Sequence, residues 1–93
     1  MVQVLGRGKL HDFAIRHAAA RRPLGRWEDI VRNANWKSLV DVKATFRSAD
    51  LVGDKIVFNL GGNKYRLIAC VDFRSAILLV TDVFTHEEYG RLS

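Results

Sequence analysis

A single cysteine, Cys70, is all the thiol this 93-residue chain holds, so no internal disulfide can staple it and no thiolate cluster can bind zinc. A reducing compartment is therefore expected, and with it a cytoplasmic location. Long apolar runs are missing as well. Residues 2–5 are far too few for a signal peptide, and nothing approaches the ~20 residues that span a bilayer, so no membrane association is expected. There is no Walker loop, dinucleotide fingerprint or serine-nucleophile motif, and Gly6-x-Gly8 lacks the third glycine of a pyrophosphate cradle. Histidine is scarce: His11 and His17 fall on different helix faces, and Glu87-Glu88 has no second histidine beside it. Neither a metal site nor a cofactor is expected. Repeats, linkers and low-complexity tracts are absent too, which leaves residues 1–93 as one domain.

What the chain does have is apolar bulk and positive charge. Phe13, Trp27, Trp36, Phe46, Phe58, Phe73 and Phe84, with Tyr65 and Tyr89, suffice for one core but not for a core and a deep cavity, so any site should be shallow. Net charge is +5, unevenly spread: residues 1–49 carry +6 and residues 50–93 carry −1. A basic half suits an RNA partner, because each neutralised phosphate releases counterions. A solvated basic face would look the same in composition, so charge permits a nucleic-acid function without establishing one.

Residues 1–5 read as a short strand ended by Gly6-Arg7-Gly8. From Lys9 the positions Leu10, Phe13, Ala14 and Ala18 share a helical face, and Arg21-Arg22-Pro23 should end that helix. Pro23 suits the first turn of the next, whose stripe is Leu24, Trp27, Ile30, Val31 and Ala34. Ser38 followed by Asp41 resembles an N-cap for a short helix over residues 39–45. Residues 47–54 are polar and read as loop. Alternation over residues 55–60, the hairpin Gly61-Gly62-Asn63, and the apolar runs 64–73 and 77–84 give three consecutive strands. Thr85 can cap a final helical turn reaching Tyr89. The order β-α-α-(short α)-β-β-β-α predicts an α+β fold: a small antiparallel sheet with a helical hairpin on one face and the other face partly open.

Two polar motifs punctuate the strands: Phe58-Asn59-Leu60-Gly61-Gly62-Asn63-Lys64-Tyr65-Arg66-Leu67 and Thr85-His86-Glu87-Glu88-Tyr89. Arg66 on a rigid strand can hold a phosphate bidentately and steady charge in a phosphoryl-transfer transition state; its structural alternative is an ion pair with Asp72, Asp82 or a loop acid. His86 and Tyr89 are three apart and share a face of a helical turn. Histidine serves as acid and base near neutrality, and tyrosine can donate a proton or stack on a base. Structurally, they would instead be a carbonyl partner and a lid on the core. Asn59 and Asn63 brace the hairpin, with Asn63 a possible hydrogen-bond donor to RNA.

An Asn-Gly-Asn-type hairpin, an arginine soon after it and a C-terminal Thr-His-x-x-Tyr resemble the HigB-type toxins of bacterial type II toxin–antitoxin modules, within the RelE-like superfamily of messenger-RNA-cleaving toxins. The likeness is dense from Trp36 to Leu92 and implies a RelE-like fold. It also implies metal-independent cleavage of mRNA, on the ribosome, through attack of the 2′-hydroxyl and a 2′,3′-cyclic phosphate, so that translation stops. On this resemblance Arg66 stabilises the transition state, His86 does acid–base work, Tyr89 stacks or transfers a proton, and Lys43, in a Lys-x-x-Phe arrangement with Phe46, neutralises phosphate. Arg47, Asn63 and Lys64 would contact RNA, and a cognate antitoxin would be the protein partner. A non-catalytic RNA- or partner-binding module derived from such a toxin is the alternative; it needs cations but has no reason for a histidine beside them.

Overall fold

A computed structural model describes residues 1–92. Its elements are β1 (Gln3–Leu5), α1 (Arg7–Arg16), a 3₁₀ turn (Ala18–Ala20), α2 (Arg21–Arg32), α3 (Leu39–Thr45), β2 (Asp50–Val52), β3 (Lys55–Leu60), β4 (Tyr65–Asp72), β5 (Ile77–Thr85) and α4 (His86–Arg91). The fold is α+β, as expected. Among the described residues, no helix is long and apolar enough to cross a membrane.

The sheet has five strands in the order β1-β5-β4-β3-β2 and is mixed rather than wholly antiparallel. The helices carry the chain from β1 to the far edge, and the meander β2–β5 then walks back. Its last strand meets β1 running the same way, with Gln3 beside Ile77 and Leu5 beside Leu79. Strand β2 lies in the stretch expected to be loop. Its hairpin with β3 is closed by Gly53-Asp54, between the paired Val52 and Lys55; Gly53 takes a φ of 64°, the positive value that the first position of such a turn favours.

The first helix also ends sooner than proline placement suggests. His17 leaves helical geometry at φ −131°, and the three alanines that follow wind as 3₁₀. The chain is helical again from Arg21, so Pro23 falls in the first turn of α2, where a missing N–H costs nothing. Ser38 is extended at the head of α3 but makes no side-chain cap. Its carbonyl accepts from Asp41 and Val42, while the Asp41 carboxylate accepts from the Lys37 amide at 2.8 Å.

The core lies between the helices and one face of the sheet. Phe58 is its centre: Trp27 meets it edge-on at 5.4 Å, Phe46 edge-on at 5.3 Å, and Trp36 stacks parallel at 6.5 Å. Leu67, Leu78 and Val80 extend this buried layer across β4 and β5. On the other face, Leu5, Leu79 and Cys70 form a row across β1, β5 and β4, with Leu5 and Leu79 exposed.

Gly6 joins β1 to α1 at φ +80°, and a Cβ there would overlap the Val80 carbonyl oxygen, which is backbone and cannot swing aside. Gly6→Ala should therefore cost ~2 kcal/mol or more, since the left-handed conformation alone costs 1–2 kcal/mol and the overlap adds to it. In a domain of this size that is a fall in Tm of about 8–16 °C. Gly8→Ala, in open helical space, should be neutral or raise Tm. Equal melting temperatures for the wild-type and Gly6→Ala proteins would contradict this account of the β1–α1 turn.

Candidate active site

Strand pairing builds the site. Tyr65 pairs with Thr85 and Arg66 with Phe84, so the start of β4 lies against the end of β5, where α4 begins. The hairpin and helix are then tied directly: the His86 amide donates to the Lys64 carbonyl at 2.7 Å. Thr85 and Glu88 close a capping box, Thr85 Oγ1 accepting from the Glu88 amide at 3.1 Å and the Glu88 carboxylate accepting from the Thr85 amide at 2.8 Å. This six-residue helix buries no side chain, so its ends and its backbone tie hold it in place.

Arg66 crosses the gap so fastened. Its Nη1 donates to the Asn63 carbonyl at 3.1 Å and more weakly to the Tyr65 carbonyl at 3.4 Å, and its Nη2 lies 2.8 Å from His86 Nδ1. A guanidinium can only donate, so Nδ1 accepts here and the ring proton sits on Nε2. The guanidinium carbon is 5.9 Å from the centre of the Tyr89 ring, within cation–π range, and Phe84 lies 6.5 Å from that ring. No carboxylate pairs with Arg66 among the described residues. Asp72 instead turns back on its own loop, where the Ser75 hydroxyl, followed by the amides of Ser75 and Arg74, holds its carboxyl below the usual range. Arg66, His86 and Tyr89 thus converge, with one positive charge held only by neutral acceptors and a ring.

The other candidates stand at varying distances from this trio. Asn63, at φ 72° in the hairpin turn, offers its carbonyl to Arg66 and leaves its exposed side chain free to reach outward. Lys64 is exposed beside it. Asn59 pairs with Arg66 across β3 and β4, and its amide donates to the Ser48 carbonyl at 3.0 Å. The loop bearing Arg47 is thereby pinned at the strand position opposite Arg66. Lys43 lies exposed near the end of α3, and no contact joins it to the trio. No group of three or more His, Cys, Asp or Glu side chains could hold a metal ion among the described residues. Sequence reasoning overlooked Glu88, although the Thr-x-x-Glu spacing of a capping box is readable in Thr85-His86-Glu87-Glu88.

Glu88 links the site to pH. The Thr85 backbone bond, aided by the Thr85 hydroxyl and the nearby His17 and Arg16, outweighs partial burial and lowers its carboxyl below the ordinary 4.5. A depressed carboxyl stabilises the fold above its unfolded value, and that contribution is lost as pH falls through the folded value. The Tm advantage of the wild-type protein over Glu88→Gln should accordingly be present at pH 6 and shrink progressively below pH 4.5. An equal difference at pH 6 and at strongly acid pH would sever Glu88 ionisation from the cap.

A family model described as HigB_toxin, RelE-like toxic component of a toxin-antitoxin system, matches residues 20–92, which takes in every element of this site. The chain is 32% identical over 84 residues to the mRNA interferase toxin HigB of Escherichia coli strain K12, an overlap covering 82% of this chain and 81% of that protein. The mRNA interferases HigB of Escherichia coli O157:H7 and Shigella flexneri match to the same extent.

Proposed function

Because the chain belongs to the HigB family of RelE-like toxins, we propose that it is the toxin of a type II toxin–antitoxin pair, a single-domain endoribonuclease that cleaves messenger RNA and stops translation. The observation that carries the reading is the meeting of Arg66, His86 and Tyr89 at the mouth of the β3–β4 hairpin. A cation alone would suit binding; a histidine nitrogen in contact with that cation adds a proton acceptor beside the phosphate it would hold.

In the reaction we infer, the scissile phosphate displaces the weaker partners of Arg66, and the guanidinium fork grips its non-bridging oxygens. His86 Nδ1, released from Arg66, takes the 2′-hydroxyl proton as that oxygen attacks phosphorus. The P–O5′ bond breaks as the 5′ oxygen takes a proton, from the Tyr89 hydroxyl or, where Tyr89 instead stacks on the neighbouring base, from solvent, and a 2′,3′-cyclic phosphate remains. Lys43 and Arg47 add positive charge along the RNA path, and Asn63 and Lys64 contact the strand at the hairpin. Charge in the transition state is met by Arg66, so no metal ion is required.

The trio lies at the surface: His86 is exposed, and Arg66 and Tyr89 are half-buried. A site without walls does not align a flexible strand by itself, so we propose that the mRNA is presented on the ribosome. The exposed row Leu5–Leu79 with Cys70, on the face away from the helices, offers apolar area to a cognate antitoxin.

Expression of the chain alone should arrest growth and leave mRNA fragments ending in 2′,3′-cyclic phosphate, without added zinc or manganese. Arrest with intact mRNA would favour a non-catalytic binding module instead. Activity of metal-stripped protein that returned only with added zinc or manganese would overturn the metal-free mechanism.

Substitutions divide the roles. Arg66→Ala should fold yet lose ~10²–10³-fold in cleavage, as for a lost oxyanion contact, and Arg66→Lys should restore little because an ammonium lacks the planar fork. His86→Gln should lose ~10²–10⁴-fold in single-turnover rate at nearly unchanged Tm. The helix is fastened through the His86 backbone and the Thr85–Glu88 box, which the substitution leaves in place. A fall in Tm with full specific activity would remove His86 from the chemistry.

A further inference from the structure

We propose that the groove between α2 and the β3–β4 hairpin is a second phosphodiester-binding site, in which Arg22, Arg26 and Lys64 hold the RNA strand as it leaves the cleavage centre. The inference rests on the reading above that RNA is the substrate, and it brings in two arginines from the helical hairpin that no motif marks.

The groove encloses about 300 Å³, near the lower bound of small-ligand pockets, with those three cations among its lining residues and no carboxylate. Its apolar lining comes from Ala19, Pro23, Gly61 and Tyr65. Gly61, at φ +60°, lets the Tyr65 ring close on the turn: a Cβ there would stand 2.8 Å from that ring, while Pro23 would be in ordinary contact at 3.6 Å. An apolar base edged by guanidinium and ammonium groups matches a nucleotide, whose sugar or base can rest on the apolar part while its phosphate meets the cations.

The charges make poor sense without an anion. Arg22 and Arg26 are four apart on α2, where like charges repel, and Arg22 lies in the first turn, where the helix end is already positive and no acidic residue offsets it. On the same helices Arg7 and Arg32 both pair with Glu28, at 2.7 and 3.3 Å, and Arg16 lies over the Phe13 ring at 5.7 Å, whereas Arg21 makes no ion pair among the described residues. Neither Arg22, Arg26 nor Lys64 has an ion-pair partner among the described residues. Position favours RNA over an acidic protein segment. Lys64 is two residues from Arg66, and its carbonyl carries the His86 amide, so a strand gripped by Arg66 passes Lys64 when it crosses the hairpin.

The probe is a fluorescent 2′-O-methyl RNA 12-mer, which binds but cannot be cleaved, titrated against wild-type protein and the folded variants Arg22→Gln/Arg26→Gln and Arg66→Ala between 50 and 200 mM salt. The double variant should bind about tenfold more weakly at 100 mM salt and lose about one unit of log–log salt slope, the amount expected for one or two lost contacts to single-stranded phosphates. Unchanged affinity and slope in the double variant, with wild-type binding and cleavage intact, would overturn the groove and spare the proposed function. Decaglutamate binding that falls in the double variant, while RNA binding does not, would assign the groove to an acidic protein segment and likewise overturn it. A wild-type protein that neither binds the 12-mer nor cleaves mRNA on ribosomes would take down the functional reading and the groove together.

Discussion

The register between β4 and β5 is the constraint on which the rest of the site depends, and one extra residue sets it. Ile68 faces Asp82 while Ala69 faces Val80, so Thr81 is a bulge in β5, tied by its hydroxyl to the Ile68 carbonyl at 3.2 Å. Before it, Leu78 and Val80 point into the core; after it, Val83 meets Leu67, and Thr85 meets Tyr65. A strand that kept strict alternation would direct Asp82 and Phe84 inward instead, because a one-residue slip exchanges the two faces. The bulge thus keeps a carboxylate out of the core, places Phe84 beside Arg66, and delivers Thr85 to the position where its hydroxyl caps α4. His86 and Tyr89 reach Arg66 only because that helix starts there.

Much of this arrangement was legible in the sequence, and what was not has definite causes. Ile56, Phe58 and Leu60 alternate and are bounded by Gly61-Gly62, and the strand they define runs over Lys55–Leu60. The helix over Leu39–Thr45 was readable from Ser38 and Asp41, even though the serine caps with its carbonyl alone. The β5 bulge was hidden because residues 77–84 are apolar almost throughout, and a run without alternation does not say which side each residue faces. Strand β2 was hidden for the opposite reason: three exposed residues at a sheet edge bury too little to leave a pattern, and only Gly53-Asp54 marks the turn. The His17 break sits in a helix-favouring context of alanines, where no glycine or proline marks it. For the candidate site, the motifs point to Arg66, His86 and Tyr89, whereas Arg22 and Arg26 belong to no motif and meet the hairpin only through the fold.

Electrostatics separates structural arginines from those the reading above assigns to substrate. Glu28 is mostly buried and serves Arg7 and Arg32 together, tying α1 to α2 on the side away from the hairpin. Arg66 receives no such partner. Carbonyls, a neutral imidazole nitrogen and an aromatic face orient it without cancelling its charge. A carboxylate at the same distance would orient it as well, yet would compete with a phosphate for the same fork. Neutral acceptors yield more readily, since a carboxylate would add the attraction of a full opposite charge to the same hydrogen bonds.

The same logic explains why a chain this short need not build a cleft. Both tryptophans and Phe46 are packed around Phe58 in the one core, which leaves little apolar bulk from which walls could be made. A solid sheet with fixed charges on its rim is the economical alternative: specificity of position comes from the backbone, and affinity from phosphates that any RNA carries. Arg66 and the proposed groove lie on either side of one hairpin turn, so a strand bound at both would bend over residues 61–64. In the proposed reaction such a bend would separate the bases flanking the cleavage point and favour the in-line approach of a 2′-oxygen to its own phosphate, a geometry that regular stacking opposes. Under this reading, the hairpin is the anvil over which the substrate is shaped, and the positive φ values of Gly61, Gly62 and Asn63 keep its turn tight enough to serve.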